Sequence, residues 1–171
     1  AAVGHKSETF NTMVFLFNHS ATTETNDSKS GGDCTITFWG VFLNNKLKKL
    51  ARNHERAFLN FGSASDPYME IEKELELTRE ILKIFLRFKY PVHIITKSDL
   101  ILRDTDILKK LNDAAVLPDD LKGLKSKVCV TFSFSTVDDD LASLVEPNAP
   151  LPSQRLKAMN TKTIFSTILI T

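Results

Sequence analysis

The chain has 171 residues, 42% hydrophobic and 25% charged, with a formal net charge of +1. This describes one globular domain large enough to bury a core, and the near-neutral balance gives no general electrostatic case for nucleic acid or a membrane surface. Two cysteines, Cys34 and Cys129, stand far apart and in no metal-ligand spacing, which excludes a disulfide framework and points to a reducing, cytoplasmic setting. No stretch approaches a membrane span, and the N-terminus lacks a signal-peptide pattern. A start at Ala1-Ala2 without Met and an end in strand-like residues read as a piece of a longer protein.

Met13 to Phe17 predicts a short strand, and Ala21 to Gly32, rich in Thr, Ser, Asn, Asp and Gly, a mobile loop. Cys34 to Leu43 is β-branched and aromatic and predicts a strand. Asn44 and Asn45 then cap a helix over about Lys46 to Asn53, with Leu47 and Leu50 inward. Phe58 to Phe61 is an apolar strand that stops at Gly62 and runs into Ser63, Ala64, Ser65, Asp66 and Pro67. Such a strand end offers backbone N–H groups, hydroxyls and a carboxylate at the edge where parallel α/β sheets bind ligands, although a plain turn uses the same residue types.

A helix carrying Leu75, Ile81, Leu82, Phe85 and Phe88 follows, with Glu72, Glu74 and Glu76 in its first turns, where the helix dipole favours acids. Pro91 to Ile95 is a buried strand ending in Thr96-Lys97-Ser98-Asp99, and Asp104 to Asn112 a helix. A loop over Pro118 to Lys127 leads to a strand over Val128 to Phe134, then Ser135 and Thr136. Asp138 to Asp140 open a short helix that Glu146 to Pro150 ends, Ser153 caps a last helix with Arg155, Leu156 and Met159, and Ile164 to Ile170 is the final strand. Basic clusters at Lys46 to Arg56 and Lys122 to Lys127 read as solvated surfaces, and His5, His19, His54 and His93 show no ligand spacing.

The alternation predicts an α/β fold: an open, curved parallel sheet of about four strands, near 57–62, 92–96, 128–134 and 164–170, with right-handed crossovers and flanking helices. That topology brings Ser63, Ser65 and Asp66, then Thr96, Lys97 and Ser98, then Ser133 and Ser135, to one sheet edge.

GSASDPY with IEKELELTR, PVHIITKSDLILRD, and VTFSFSTVDDDLASLVEPNAP followed by Arg155 resemble the radical-SAM proteins related to spore photoproduct lyase, also described as DNA-repair-photolyase-like. The resemblance covers about Phe58 to Met159. It implies a partial (β/α) barrel for residues 44–171, with residues 1–43 a divergent or poorly ordered segment. It also implies S-adenosylmethionine and a 4Fe-4S cluster as cofactors, and reductive cleavage of the former to a 5′-deoxyadenosyl radical. Ser65 and Asp66 match positions that hold the methionine ammonium, and Lys97 one that pairs with its carboxylate. Ser133 or Ser135 matches a hydroxyl on the ribose or methionine portion. Turn capping by Asp66 and a snorkelling strand-end Lys97 are the plain alternatives, as is a helix-linking salt bridge for Glu146 and Arg155, which also match.

The cluster-binding CxxxCxxC of that family is absent from this sequence, and two scattered cysteines do not assemble a cluster. The expectation is therefore a fragment of a radical-SAM enzyme, inactive as this chain and without catalytic residues assigned. The alternatives are a non-catalytic module for a nucleotide-like ligand and a truncated product without function. Nucleic acid as a partner follows from the resemblance alone.

Overall fold

The structure, a computed structural model, describes residues 13–15, 31–53, 56–63, 65–161 and 166–170. Strands β1 (Met13–Phe15), β2 (Leu59–Phe61), β3 (Val92–Thr96), β4 (Val128–Phe134) and β5 (Ser166–Ile170) form one sheet in sequence order, every neighbouring pair parallel. The four strands expected in the sheet are all present, and the short strand read from Met13 joins them as β1. With strands in chain order and right-handed crossovers, the connecting helices fall on one face of the sheet.

That face is the core. Leu59 and Phe61 of β2, Val92 and Ile94 of β3, and Val128, Val130, Phe132 and Phe134 of β4 alternate along their strands and are buried. Against them pack Leu43 and Leu47 from α1 (Gly31–Arg52), Ile81, Leu82 and Phe85 from α3 (Leu77–Phe88), Ile107, Leu108 and Leu111 from α4 (Thr105–Ala114), and Ala158 from α6 (Pro152–Met159). Phe61 meets Phe85 edge to face at 6.2 Å. The intervening strand residues are of another character: Asn60, His93 and Cys129 stand in register, and His93 Nε2 lies 2.8 Å from Thr131 Oγ1. Burial lowers the pKa of His93 and keeps it neutral.

Several boundaries differ from the sequence reading. Cys34 to Leu43 is helix, continuous with the expected helix at 46–53, so the Asn44 and Asn45 caps fall inside α1, which also runs through the 43/44 division. Strand propensity is overridden by tertiary context: Leu43 and Leu47, one helical turn apart, reach the core together. The helix expected from Glu72 to Phe88 is broken at Glu76, whose φ of 48° separates α2 (Glu72–Leu75) from α3 and leaves Leu75 exposed. The Glu72 side chain explains the break, since it turns inward and accepts the Thr78 backbone N–H at 2.9 Å, occupying a donor in the first turn of α3. At α6 the N-cap is Leu151 with Pro152 in the first turn, not Ser153, whose N–H donates instead to Asp139 at 3.0 Å. The loop expected over Ala21 to Gly32 lies, save its last two residues, outside the described residues, as do His5, His19 and His54. Among the described residues no helix is long and apolar enough to cross a membrane.

Gly62 ends β2 with φ of +103°, and a Cβ there would stand 2.1 Å from the Ile95 carbonyl oxygen. Both the dihedral and the contact with β3 require glycine. Gly62→Ala is expected to destabilise the chain by more than about 2 kcal/mol, read from urea unfolding; an unchanged midpoint would contradict this account of the strand end.

Candidate functional site

Beyond Gly62 the half-buried Asp66 carboxylate settles between the ends of β2 and β3. Oδ1 accepts the Tyr68 N–H at 2.9 Å and the Thr96 hydroxyl at 2.6 Å, and Oδ2 accepts the Lys97 backbone N–H at 2.6 Å. Asp66 thus caps its own turn and clamps the neighbouring strand end. Ser98 accepts from the Leu100 N–H and starts a 3₁₀ turn over Asp99–Asp104.

The Lys97 ammonium reaches across to Glu146, in the loop between α5 (Asp139–Val145) and α6. Its ion partner is therefore Glu146, while Asp66 engages the Lys97 backbone. Glu146 Oε1 also accepts the Ser135 hydroxyl, while Oε2 accepts from Arg155 Nη2 at 2.7 Å. Arg155 is fully buried, donates to the carbonyls of Ser133 at 2.7 Å and Pro150 at 2.8 Å, and stacks over Phe134. Burial by itself raises the Glu146 pKa, but the hydrogen bonds from Lys97, Ser135 and Arg155 outweigh it and hold the carboxyl at about 2.

Between these groups lies a cleft of about 460 Å³, lined by Asp66, Tyr68, Lys97, Asp99 and Glu146 together with the Pro147–Pro150 loop. It opens at the C-terminal ends of β2 and β3. Of the residues singled out from sequence, Asp66, Lys97, Ser98 and Glu146 line the cleft, and Ser135 joins it through Glu146. Ser65 lines an adjoining recess of about 30 Å³ that shares Asp66. The Ser133 side chain is buried in the sheet, and this residue contributes its carbonyl to Arg155.

A second set of charges supports the cleft from behind. Asp104, wholly buried, accepts from Arg79 at 2.7 Å, from Arg103 at 3.1 and 3.0 Å, and from the Tyr68 hydroxyl at 3.1 Å. Arg103 also donates to the Glu72 carboxylate at 2.9 Å, and Arg79 grips Asp106 through two bonds of 3.0 Å. Burial first and then Asp104 push the Tyr68 phenol well above its ordinary pKa. The sequence reading gave Glu72 only a helix-dipole role and assigned the others no place at the site. Their signal was present, since ELTR and LILRD set arginines and acids inside otherwise apolar helical runs.

No protein-family model and no solved structure matches the chain. It is similar to an uncharacterized protein of Methanocaldococcus jannaschii, 32% identical over 126 residues that make up 72% of this chain and 43% of the relative. It is also similar to an uncharacterized protein of Acidianus two-tailed virus, 25% identical over 135 residues, 75% of this chain and 40% of the relative. The chain spans less than half the length of these curated relatives.

The Glu146 network makes folding sensitive to acid. Its folded pKa of about 2 lies below the ordinary 4.5, so its stabilisation is full above pH 4.5 and is lost as pH falls toward 2. The loss is on the order of 3 kcal/mol. Glu146→Gln is expected to remove that part of the acid slope in urea unfolding, and an equally steep slope in the variant would show that another carboxylate carries it.

Proposed function

We propose that this chain is part of a radical-SAM protein of the spore photoproduct lyase type, and that its cleft takes the amino-acid end of S-adenosylmethionine. The observation that carries the reading is the meeting of Asp66, Lys97 and the Ser135–Glu146 pair at one end of a parallel sheet whose strands run in chain order with helices on one side. That arrangement suits a (β/α) barrel segment, where sites form at the C-terminal strand ends. The quoted motifs, which supply these residues, add to it.

The residues fit an amino-acid head group in kind. Lys97 offers a cation for a carboxylate, and Asp66, Glu146 and Ser135 offer acceptors for an ammonium group. Binding asks for exchange, because each of these groups already has a partner inside the chain. When bound with its cluster, S-adenosylmethionine supplies a 5′-deoxyadenosyl radical for hydrogen abstraction. This chain's part is to hold and orient the amino-acid end at the strand edge.

The chain's own residues do not fit the 4Fe-4S cluster. Cys129 sits near the start of β4 in register with His93, at the far end of the strand from the cleft, and Cys34 lies on α1. No step through the cluster follows from these residues. The same observation favours, as a second reading, a module that binds a nucleotide-like ligand without iron.

Calorimetry of the iron-free chain with S-adenosylmethionine is expected to give weak binding, on the order of millimolar or about −4 kcal/mol, lost in Lys97→Ala. Binding indifferent to Lys97 would sink the residue assignment. Anaerobic reconstitution with iron and sulfide is expected to leave no stable cluster absorbance, and stoichiometric incorporation would refute that.

A further inference from the structure

Two of the cleft's lining groups are cations, and both are already engaged: Lys97 with Glu146 and Lys73 with Glu70. Four carboxylates, Asp66, Glu70, Asp99 and Glu146, line the same space, a formal excess of two negative charges over the two ammonium groups. The two pairs are unlike. Lys73–Glu70 is a surface pair with side chains 56% and 87% exposed, whereas the Glu146 side chain is 9% exposed and anchored from behind by Arg155. An exposed pair exchanges partners at little cost, whereas an anchored carboxylate stays in place, so a group that shares Lys97 has to bring a cation for Glu146, as a zwitterion does and a phosphate does not. The guanidinium takes Oε2, which leaves Oε1 to face Lys97 and Ser135. Phosphate groups are recognised by cations and N–H donors whose hydrogen bonds are not already spent, and are repelled by neighbouring carboxylates.

We infer that Glu146 is a specificity-determining residue that withholds Lys97 from phosphate, so the cleft accepts nucleoside-like or zwitterionic ligands and rejects phosphorylated nucleotides. The inference rests on reading this cleft as the ligand site, and it adds the charge class of what enters. Under it, the second reading above narrows from nucleotides to nucleosides.

Titration calorimetry with ATP, adenosine and inorganic pyrophosphate on the full chain tests it. The wild type is expected to bind ATP no more tightly than adenosine. Glu146→Gln is expected to bind ATP and pyrophosphate at least tenfold more tightly than the wild type, with the gain removed by adding Lys97→Ala. Glu146→Asp, whose shorter carboxylate keeps the charge beside Arg155 but draws it back from Lys97, is expected to gain pyrophosphate binding as well, and decides the case if Glu146→Gln does not fold. Wild-type binding of ATP well above adenosine, a gain that survives Lys97→Ala, or no gain in a folded variant would overturn the proposal. Pyrophosphate separates the two levels: its gain in the variants stands even if S-adenosylmethionine fails to bind, which would count against the cofactor assignment alone.

Discussion

The Asp66 carboxylate joins two strand ends that sheet pairing leaves apart. Ladder pairing between β2 and β3 ends at Phe61 and Ile94, and beyond it this side chain links the two strand-end turns through Thr96, Lys97 and Tyr68. Bonds to an ionised acceptor contribute about 1.5–3 kcal/mol each, so three of them hold the turn against the neighbouring strand end. Tyr68 extends the constraint inward. Its N–H holds Asp66 and its hydroxyl reaches the buried Asp104, where Arg79 and Arg103 meet. The geometry of the cleft therefore depends on charges that never touch it.

Gly62 makes this possible. Its dihedral and its approach to the Ile95 carbonyl bring the turn close enough for Asp66 to reach the next strand. The residues named from motif and those found in the structure thus form one assembly: glycine sets the approach, aspartate clamps, tyrosine anchors, and lysine projects toward Glu146.

The strands at 92–96 and 128–134 were legible because each is a short apolar run closed by hydroxyl-bearing residues, and helical spacing marked Ile81, Leu82 and Phe85 in the same way. Cys34 to Leu43 misled because β-branched and aromatic residues carry strand propensity only while no neighbouring helix recruits them, and here the run continues into the helix that holds Leu47. The break at Glu76 was hidden for a related reason: an acid in a first turn suggests a dipole interaction, and nothing local shows that Glu72 bends inward to Thr78 and Arg103. At the site, convergence of strand ends follows from topology and was readable, but which carboxylate faces Lys97 was not. That choice belongs to the α5–α6 loop, 49 residues away along the chain.

The chain-order sheet also shapes how the molecule assembles. Pairing Leu59 with Val92, Val92 with Val128 and Val130 with Ser166 closes loops of 33, 36 and 36 residues. Loop-closure entropy grows only as the logarithm of length, so these three joins carry nearly equal penalties and none must wait for another to thread past it. Topology alone would let the sheet grow one strand at a time, with each added unit independent of the last. Cooperativity has to come from contacts that join one crossover to the next, and the ion pairs from Arg103 to Glu72 and from Lys97 to Glu146 are of that kind. The groups that shape the cleft are also those that turn a row of strands into one folding unit.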